Sequence, residues 1–588
     1  MKRQRASSRR LSIAVLLTFA IVSVFVVRLV DLQVVQADEL NEASHDKRAV
    51  AVTTRAERGS IVDANGVVLA ASVTRYDITI DPRTASAEGA YEFKRRDAEG
   101  NSQTVTVLRA LEEIAEITGA DVDDMMATVT KNPDANFAYL LREVNTEEYR
   151  AIRELSIPWV WPQAVPERTY PNGAVAGNLV GFVGTDGPQN GLEYTYDACL
   201  ASIDGVSTYE RGADGVRLPG STVTAREPIP GGTITTTIDS DLQWFVQQAV
   251  AEQAIAIGAE SGMASVVRVR DGHIMALADY PSVDPNYVSG THKDFLGSRA
   301  FTYAFEPGSV LKAVSAAIAV DSGAANQNTR YTVPARWNAS QGAVVRDALN
   351  LGTQRLTLAG VLMRSSNVGI AMASDDIPNS TRYDYLSKFG FGDYTAVGFQ
   401  GETKGLLAER WNAQQRYDIA YGQGISMSLA QLTSAYQAIA NGGVRMPLTL
   451  VTSCTRPDGT VETVDTPEPV RVVSEQAAAL TLDMLQSVVT DGSLSSTFTI
   501  PGYRTAAKTG TGEVAGPYGY TNERIVSVAG IAPADDPEYV VIVTFVKPTT
   551  IKTSWAAAPT WAKVMTQVLK HYRVPLSTMP APRLPTSW

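Results

Sequence analysis

Ser309 and Lys312 stand three positions apart in Pro307-Gly-Ser-Val-Leu-Lys312. Pro307 and Gly308 break the chain, and Val310, Leu311, Val314 and Ile318 start an apolar helical pattern at once. The serine is therefore predicted at a helix N-terminus, where the macrodipole favours a developing alkoxide. The lysine falls one turn along on the same face. An amine in a partly desolvated pocket loses its proton near neutral pH and serves as a general base. Alone, such a tetrad is a weak signal. Ser44-His-Asp-Lys47 is a second copy, but it lies in a polar segment with no breaker before an apolar helix.

Two further clusters carry chemistry. Ser365-Ser366-Asn367 precedes Val368-Gly-Ile-Ala-Met372 and reads as a loop leading into another buried helix. A hydroxyl and an amide two positions apart suit proton relay and the orienting of a lysine; the same pattern also serves as a helix cap. Lys508-Thr509-Gly510-Thr511 follows Arg504-Thr-Ala-Ala507 beside a predicted sheet edge. Lysine and threonine hydroxyls there suit a terminal carboxylate, and Gly510 admits close backbone approach. None of His45, His273, His292 and His571 has a catalytic setting, so an activated serine must take another base. In order, the three clusters match the motif set of serine β-lactamases and penicillin-binding proteins.

The elements that must hold these residues follow from patterning. Strands are predicted at Thr233–Ile238, Ala264–Val269, Ile274–Leu277, Val526–Ile531 and Tyr539–Val546, with helices at Ser240–Ile257 and Pro559–Tyr572. Helices are expected to dominate from Ser309 to Gly443. Strands, then helices, then strands imply an α/β (α+β) layered domain with a mostly antiparallel central sheet, over residues 231–575. Residues 38–230 read as a mixed pedestal domain with a strand at Tyr76–Ile80 and a helix at Val105–Ile117. The proline-rich stretch 576–588 reads as a loose tail.

The chain has 588 residues, 44% hydrophobic and 19% charged, with net charge -11. That is globular composition, and the charge argues against nucleic acid as a partner. Cys199 and Cys454 offer neither zinc-ligand spacing nor a disulfide framework, and are expected as two unpaired thiols in packed positions. Residues 1–10 form a basic leader with Lys2, Arg3, Arg5, Arg9 and Arg10. The apolar run over 11–30 is expected to cross the membrane and contact lipid, with Arg28 snorkelling outward. Basic residues mark the cytoplasmic side, so the bulk of the chain is expected outside. No small-x-small cleavage site follows the run.

Along nearly its whole length the sequence resembles the class B penicillin-binding proteins. Arg58-Gly-Ser-Ile-Val-Asp-Ala-Asn-Gly66, Arg168-Thr-Tyr-Pro-Asn-Gly173 and Gly191-Leu-Glu-Tyr-Thr-Tyr-Asp197 are similar to that class's three pedestal motifs, and Ala420-Tyr-Gly-Gln-Gly-Ile-Ser426 to a catalytic-domain motif. Ser428-Leu429 and Gly512-Glu513 depart from the family's usual Thr-Pro and Ala-Gln, at places expected to affect substrate or inhibitor fit. The resemblance is nearest the septal, FtsI-type branch, with an elongation-specific enzyme as the alternative and a β-lactam sensor or D,D-carboxypeptidase behind it.

The resemblance implies a D,D-transpeptidase acting on stem peptides that end in D-Ala-D-Ala. Ser309 would be the nucleophile, Lys312 its base, and Ser365 the relay to the leaving group. Asn367 would steady Lys312 and the substrate amide. Lys508, Thr509 and Thr511 would grip the carboxylate, and backbone N–H groups of Ser309 and Thr511 would form the oxyanion hole. β-Lactams would acylate Ser309. No cofactor or metal is implied. A membrane glycosyltransferase of the division machinery is the expected partner, and the septum the expected location.

Overall fold

A computed structural model describes residues 2–40, 48–86, 92–96, 101–135, 137–210, 212, 218, 220–516 and 519–588. Two compact units result. The first holds residues 1–57, 75–166 and 202–230; the second holds 58–74, 167–201 and 231–588. The chain thus interleaves. Stretches 58–74 and 167–201, which contain the three pedestal motifs, belong to the unit with the catalytic motifs.

The first unit begins with the helix Lys2–Val30 and a π-helical turn, Asp31–Val35. Within Arg10–Val35 an 18-residue window has a mean hydropathy of 2.7, and none of that window is buried by protein. It is the one helix among the described residues long and apolar enough to cross a membrane. Arg28 pairs with Asp31 at 2.5 Å. Further on, Val107–Thr118 forms a helix because Thr106 caps its start and Gly119, at φ +72°, ends it. Its apolar face, Val107, Leu111 and Ile114, packs with Ile78, Ile80 and Trp159.

The second unit is built on a five-stranded antiparallel sheet. Its strands are β1 (Ser261–Arg268), β2 (Ile274–Tyr280), β3 (Ala506–Gly516), β4 (Gly519–Ala532) and β5 (Tyr539–Val546), in the order β2-β1-β5-β4-β3. All eight residues of β5 are buried, as a central strand covered on both faces requires. Val541, Val543 and Phe545 join one core with α1 (Ser240–Ile257) and α7 (Ala558–His571). Val540, Ile542 and Val546 point the other way, into a second core shared with α2 (Lys312–Asp321), α5 (Leu429–Ala440) and α6 (Glu475–Thr490). The period-two alternation sets this division. Burying each such side chain stabilises by roughly 1.5–3 kcal/mol. Strand β3 is the sheet edge, so its outer backbone is open to a further strand.

Helices dominate the region 309–443, as expected. It also carries two small antiparallel pairs, Arg330–Val333 with Gln354–Thr357 and Arg336–Asn338 with Val344–Arg346. Two other expectations need correction. Cys199 and Cys454 are not free thiols but a disulfide, 255 residues apart in sequence. Nor is the stretch 576–588 loose: Ser577 N donates to Gly502 O at 3.0 Å, and Thr357 Oγ1 donates to Pro585 O at 2.5 Å.

Candidate active site

Ser309 lies in a single 3₁₀ turn, Gly308–Leu311, that runs directly into α2 at Lys312. Gly308 opens the turn at φ +58°. The lysine is completely buried. Helix α3 (Leu358–Arg364) ends at Ser365, whose φ of +58° is left-handed and strained for a residue with a side chain. Ser366 then caps α4 (Asn367–Ala373), its hydroxyl accepting from Gly369 N at 2.8 Å. The reversal between two short helices turns both Ser365 and Asn367 toward Lys312.

The geometry around Lys312 Nζ is close. It reaches Ser309 Oγ at 2.9 Å, Ser365 O at 2.5 Å, Asn367 Oδ1 at 2.6 Å and Ser365 Oγ at 3.3 Å. Asn367 Nδ2 donates to Arg346 O at 3.1 Å, which fixes the amide so that its oxygen faces the lysine. Burial pushes the Lys312 amine well below the usual lysine range, and the nearby Lys508 adds to the effect, while Asp347 opposes it. A neutral amine has two hydrogens and one lone pair. Ser365 O and Asn367 Oδ1 can only accept, so they take the hydrogens. The lone pair is left for a serine hydroxyl, of which Ser309 is the nearer.

Lys508 is also fully buried and donates to Ser365 Oγ at 2.8 Å and Thr509 O at 3.0 Å. Burial lowers it to about 7. Ser365 Oγ therefore bridges the two lysines. Lys508 and Gly510 share one face of β3, as alternation dictates. A Cβ at Gly510 would lie 2.9 Å from Val310 Cγ1 and 3.0 Å from Pro307 O. The glycine thus admits the turn that carries Ser309, rather than only a substrate.

Ser309, Ser365, Asn367, Thr509, Gly510 and Thr511 line one cavity of about 760 Å³. All eight residues singled out from the sequence meet in or against it. Ser44-His-Asp-Lys47, with His45, lies outside the described residues. Glu513 lines the cleft, accepting from Gln423 Nε2 at 2.9 Å and pairing with Arg524 at 3.2 Å. Ser428, by contrast, is buried and caps α5 in a capping box with Gln431, so this departure acts on a helix end and not on the cleft. Asp347 stands in no motif readable from the sequence. Its carboxylate accepts from Ser366 Oγ at 2.9 Å and Val368 N at 2.9 Å, and so holds the turn that places Asn367.

The pedestal motifs converge on another buried group. Glu193 is fully buried and takes Arg58 Nε at 2.7 Å and Arg168 Nε at 2.6 Å. Arg168 Nη1 also donates to Gly59 O at 2.5 Å.

Comparisons with known proteins agree with this geometry. Residues 262–566 match the penicillin-binding protein transpeptidase domain, and residues 53–236 the penicillin-binding protein dimerisation domain. The chain is 34% identical to penicillin-binding protein PbpB of Mycolicibacterium smegmatis, over 96% of this chain and 90% of that one. It is 31% identical to peptidoglycan D,D-transpeptidase FtsI of Escherichia coli, over 92% and 88%. Among solved structures, a peptidoglycan synthetase from Bifidobacterium adolescentis is 30% identical with a TM-score of 0.73, covering 92% of this chain and 100% of that one. Penicillin-binding protein 3 from Mycobacterium tuberculosis, complexed with ampicillin, is 28% identical with a TM-score of 0.69, covering 91% and 100%.

Proposed function

This chain belongs to the class B penicillin-binding proteins, and from that premise we propose that it cross-links peptidoglycan at the division septum through an acyl-enzyme on Ser309. The observation that carries the residue assignment is the buried Lys312 amine, 2.9 Å from Ser309 Oγ, with both its hydrogens engaged by obligate acceptors.

The stem peptide's D-Ala-D-Ala end lies along the open edge of β3. Thr509 and Thr511 hold its terminal carboxylate, with the Lys508 ammonium behind them. Lys312 takes the Ser309 proton as Oγ attacks the carbonyl carbon between the two D-Ala residues. Backbone N–H groups of Ser309 and Thr511 stabilise the oxyanion; losing one such donor typically costs about 10²–10³ in rate. Ser365 delivers its hydroxyl proton to the departing D-Ala nitrogen and receives from Lys312 the proton taken from Ser309, and the C–N bond breaks to leave an ester on Ser309 with Lys312 neutral again. Asn367 keeps Lys312 in place and binds the substrate amide. An amine from a neighbouring stem peptide then attacks the ester, its proton returns through Lys312, and Ser309 is regenerated. β-Lactams enter the same cleft and stop at the acyl stage.

The helix over Arg10–Val35 anchors the chain, with the basic leader in the cytoplasm and the chain beyond the helix outside. The Cys199–Cys454 disulfide supports this orientation, because such bonds persist in oxidising compartments. A membrane glycosyltransferase of the division machinery supplies the strands.

Labelling the full-length protein with a fluorescent penicillin tests the assignment. Wild type is expected to label, and Ser309→Ala to lose the label entirely. Label retained in Ser309→Ala would remove Ser309 from its role.

A further inference from the structure

The segment that follows α7 is rich in proline, at Pro575, Pro580, Pro582 and Pro585, yet it is seated on the catalytic unit. Ser577 Oγ donates to Asp535 Oδ1 at 2.6 Å. Leu584 packs against the main core. Ser587 bridges Leu356 antiparallel, and Trp588 N donates to Arg355 O at 3.4 Å. The guanidiniums of Arg330 and Arg355 each lie 5.3 Å from the Trp588 ring. The segment therefore lies along Gln354–Thr357, joined to it by one antiparallel bridge.

Two details mark this as a built seat. Thr357 caps α3, its hydroxyl accepting from Gly360 N at 3.1 Å. The same hydroxyl donates to Pro585 O at 2.5 Å, which fixes its rotor in the capping orientation. Gly360 faces the segment, and a Cβ there would lie 1.8 Å from Thr586 O. The prolines restrict the undocked segment and so lessen the entropy lost on docking.

Helix α3 has seven residues, and its other end is Ser365. That residue's carbonyl and hydroxyl meet Lys312 at 2.5 Å and Lys508 at 2.8 Å. We propose that Leu584–Trp588 is a positioning strap: it contributes no atom to the cleft but fixes the cap and flank of α3, and through α3 the strained Ser365 between the two lysines. The proposal rests on the reading of Ser365 as the relay. Misplacement by about 1 Å at such a group costs on the order of 10² in rate.

The test uses full-length protein in detergent and the rate of acylation by a fluorescent penicillin across pH. A chain stopped after Ala581 and the Gly360→Ala variant are each expected to be slowed about ten-fold or more, with the acid limb of the pH profile shifted, because Ser365 contacts both titrating amines. In the shortened chain Gly360→Ala adds nothing, since its Cβ then meets an empty seat. Trp588→Phe keeps the wild-type rate. Wild-type rate and pH profile in the shortened chain would overturn the strap, as would multiplying effects of the two changes. If the shortened chain does not fold, Trp588→Ala replaces it, with slowing expected and an unchanged rate overturning the proposal. Failure of the underlying acylation chemistry would show separately, as absence of label in wild type.

Discussion

Two buried lysines within reach of one serine hydroxyl make the cleft costly to fold. Lys508 shows the sign of that cost. Its folded value of about 7 lies below the ordinary 10.5, so between those limits the unfolded chain binds more protons than the folded one. Stability contributed at this site therefore rises with pH from about 7 toward 10.5, and is least below 7. Lys508→Met is accordingly expected to raise the melting temperature, more at pH 6 than at pH 9, while abolishing acylation; scans at both pH values check it. An equal gain at the two pH values would show that the ammonium is not what strains the fold. Asp347 acts in the opposite sense on the neighbouring lysine, because its charge favours the protonated form. Replacing Asp347 with Ala leaves Ser366 Oγ and Val368 N without their acceptor. A loss of about 1–3 kcal/mol is expected, readable by urea unfolding, with a slower acylation step because Asn367 loses its anchor.

At the level of elements, the catalytic groups depend on how closely β3 approaches the Ser309 turn. Gly510→Val forces side-chain atoms against Val310 and Pro307 O, an overpacking expected to cost about 1–3 kcal/mol and to lower acylation far more than stability. Comparing the acylation rate with the unfolding midpoint of the same variant separates the two losses. Much of this layer was legible beforehand. Tyr539–Val546 is apolar except for Thr544 and became the central strand; Ser240–Ile257 has helical spacing and became α1 residue for residue. The Ser-x-x-Lys, Ser-x-Asn and Lys-Thr-Gly clusters were readable because each combines a reactive group with a chain break or a sheet edge. The small strands between 330 and 357 were not, because they are three or four residues long and mostly solvent-facing, so they leave no apolar period to detect. Asp347 was hidden with them. The prolines of 576–588 lack N–H donors and so predict a loose tail, but the carbonyls of Pro585 and Thr586 are free to accept, and there they do so from Thr357.

For the whole molecule, the instructive feature is that 167–201 crosses from the N-terminal half of the sequence into the catalytic unit. A sequence pattern cannot announce such a crossing, because partners 255 residues apart share no local signal. Two devices hold it. Removing the carboxylate in Glu193→Ala leaves Arg58 with Asp197 alone and takes from the buried Arg168 its carboxylate partner, at an expected cost of about 3–5 kcal/mol. The Cys199–Cys454 bond closes a very long loop, and its loss is expected to cost about 2–5 kcal/mol in urea unfolding. The same bond reports where the catalytic unit resides. If the unit is exported, both sulfurs are already oxidised when cells are lysed into denaturant with a thiol-reactive maleimide. The protein has no other cysteine, so it is expected to take up no maleimide before reduction and two equivalents after it. Two equivalents without reduction would mean that the thiols had stayed in a reducing compartment. That result would place the unit on the cytoplasmic side and remove the septal wall from its reach.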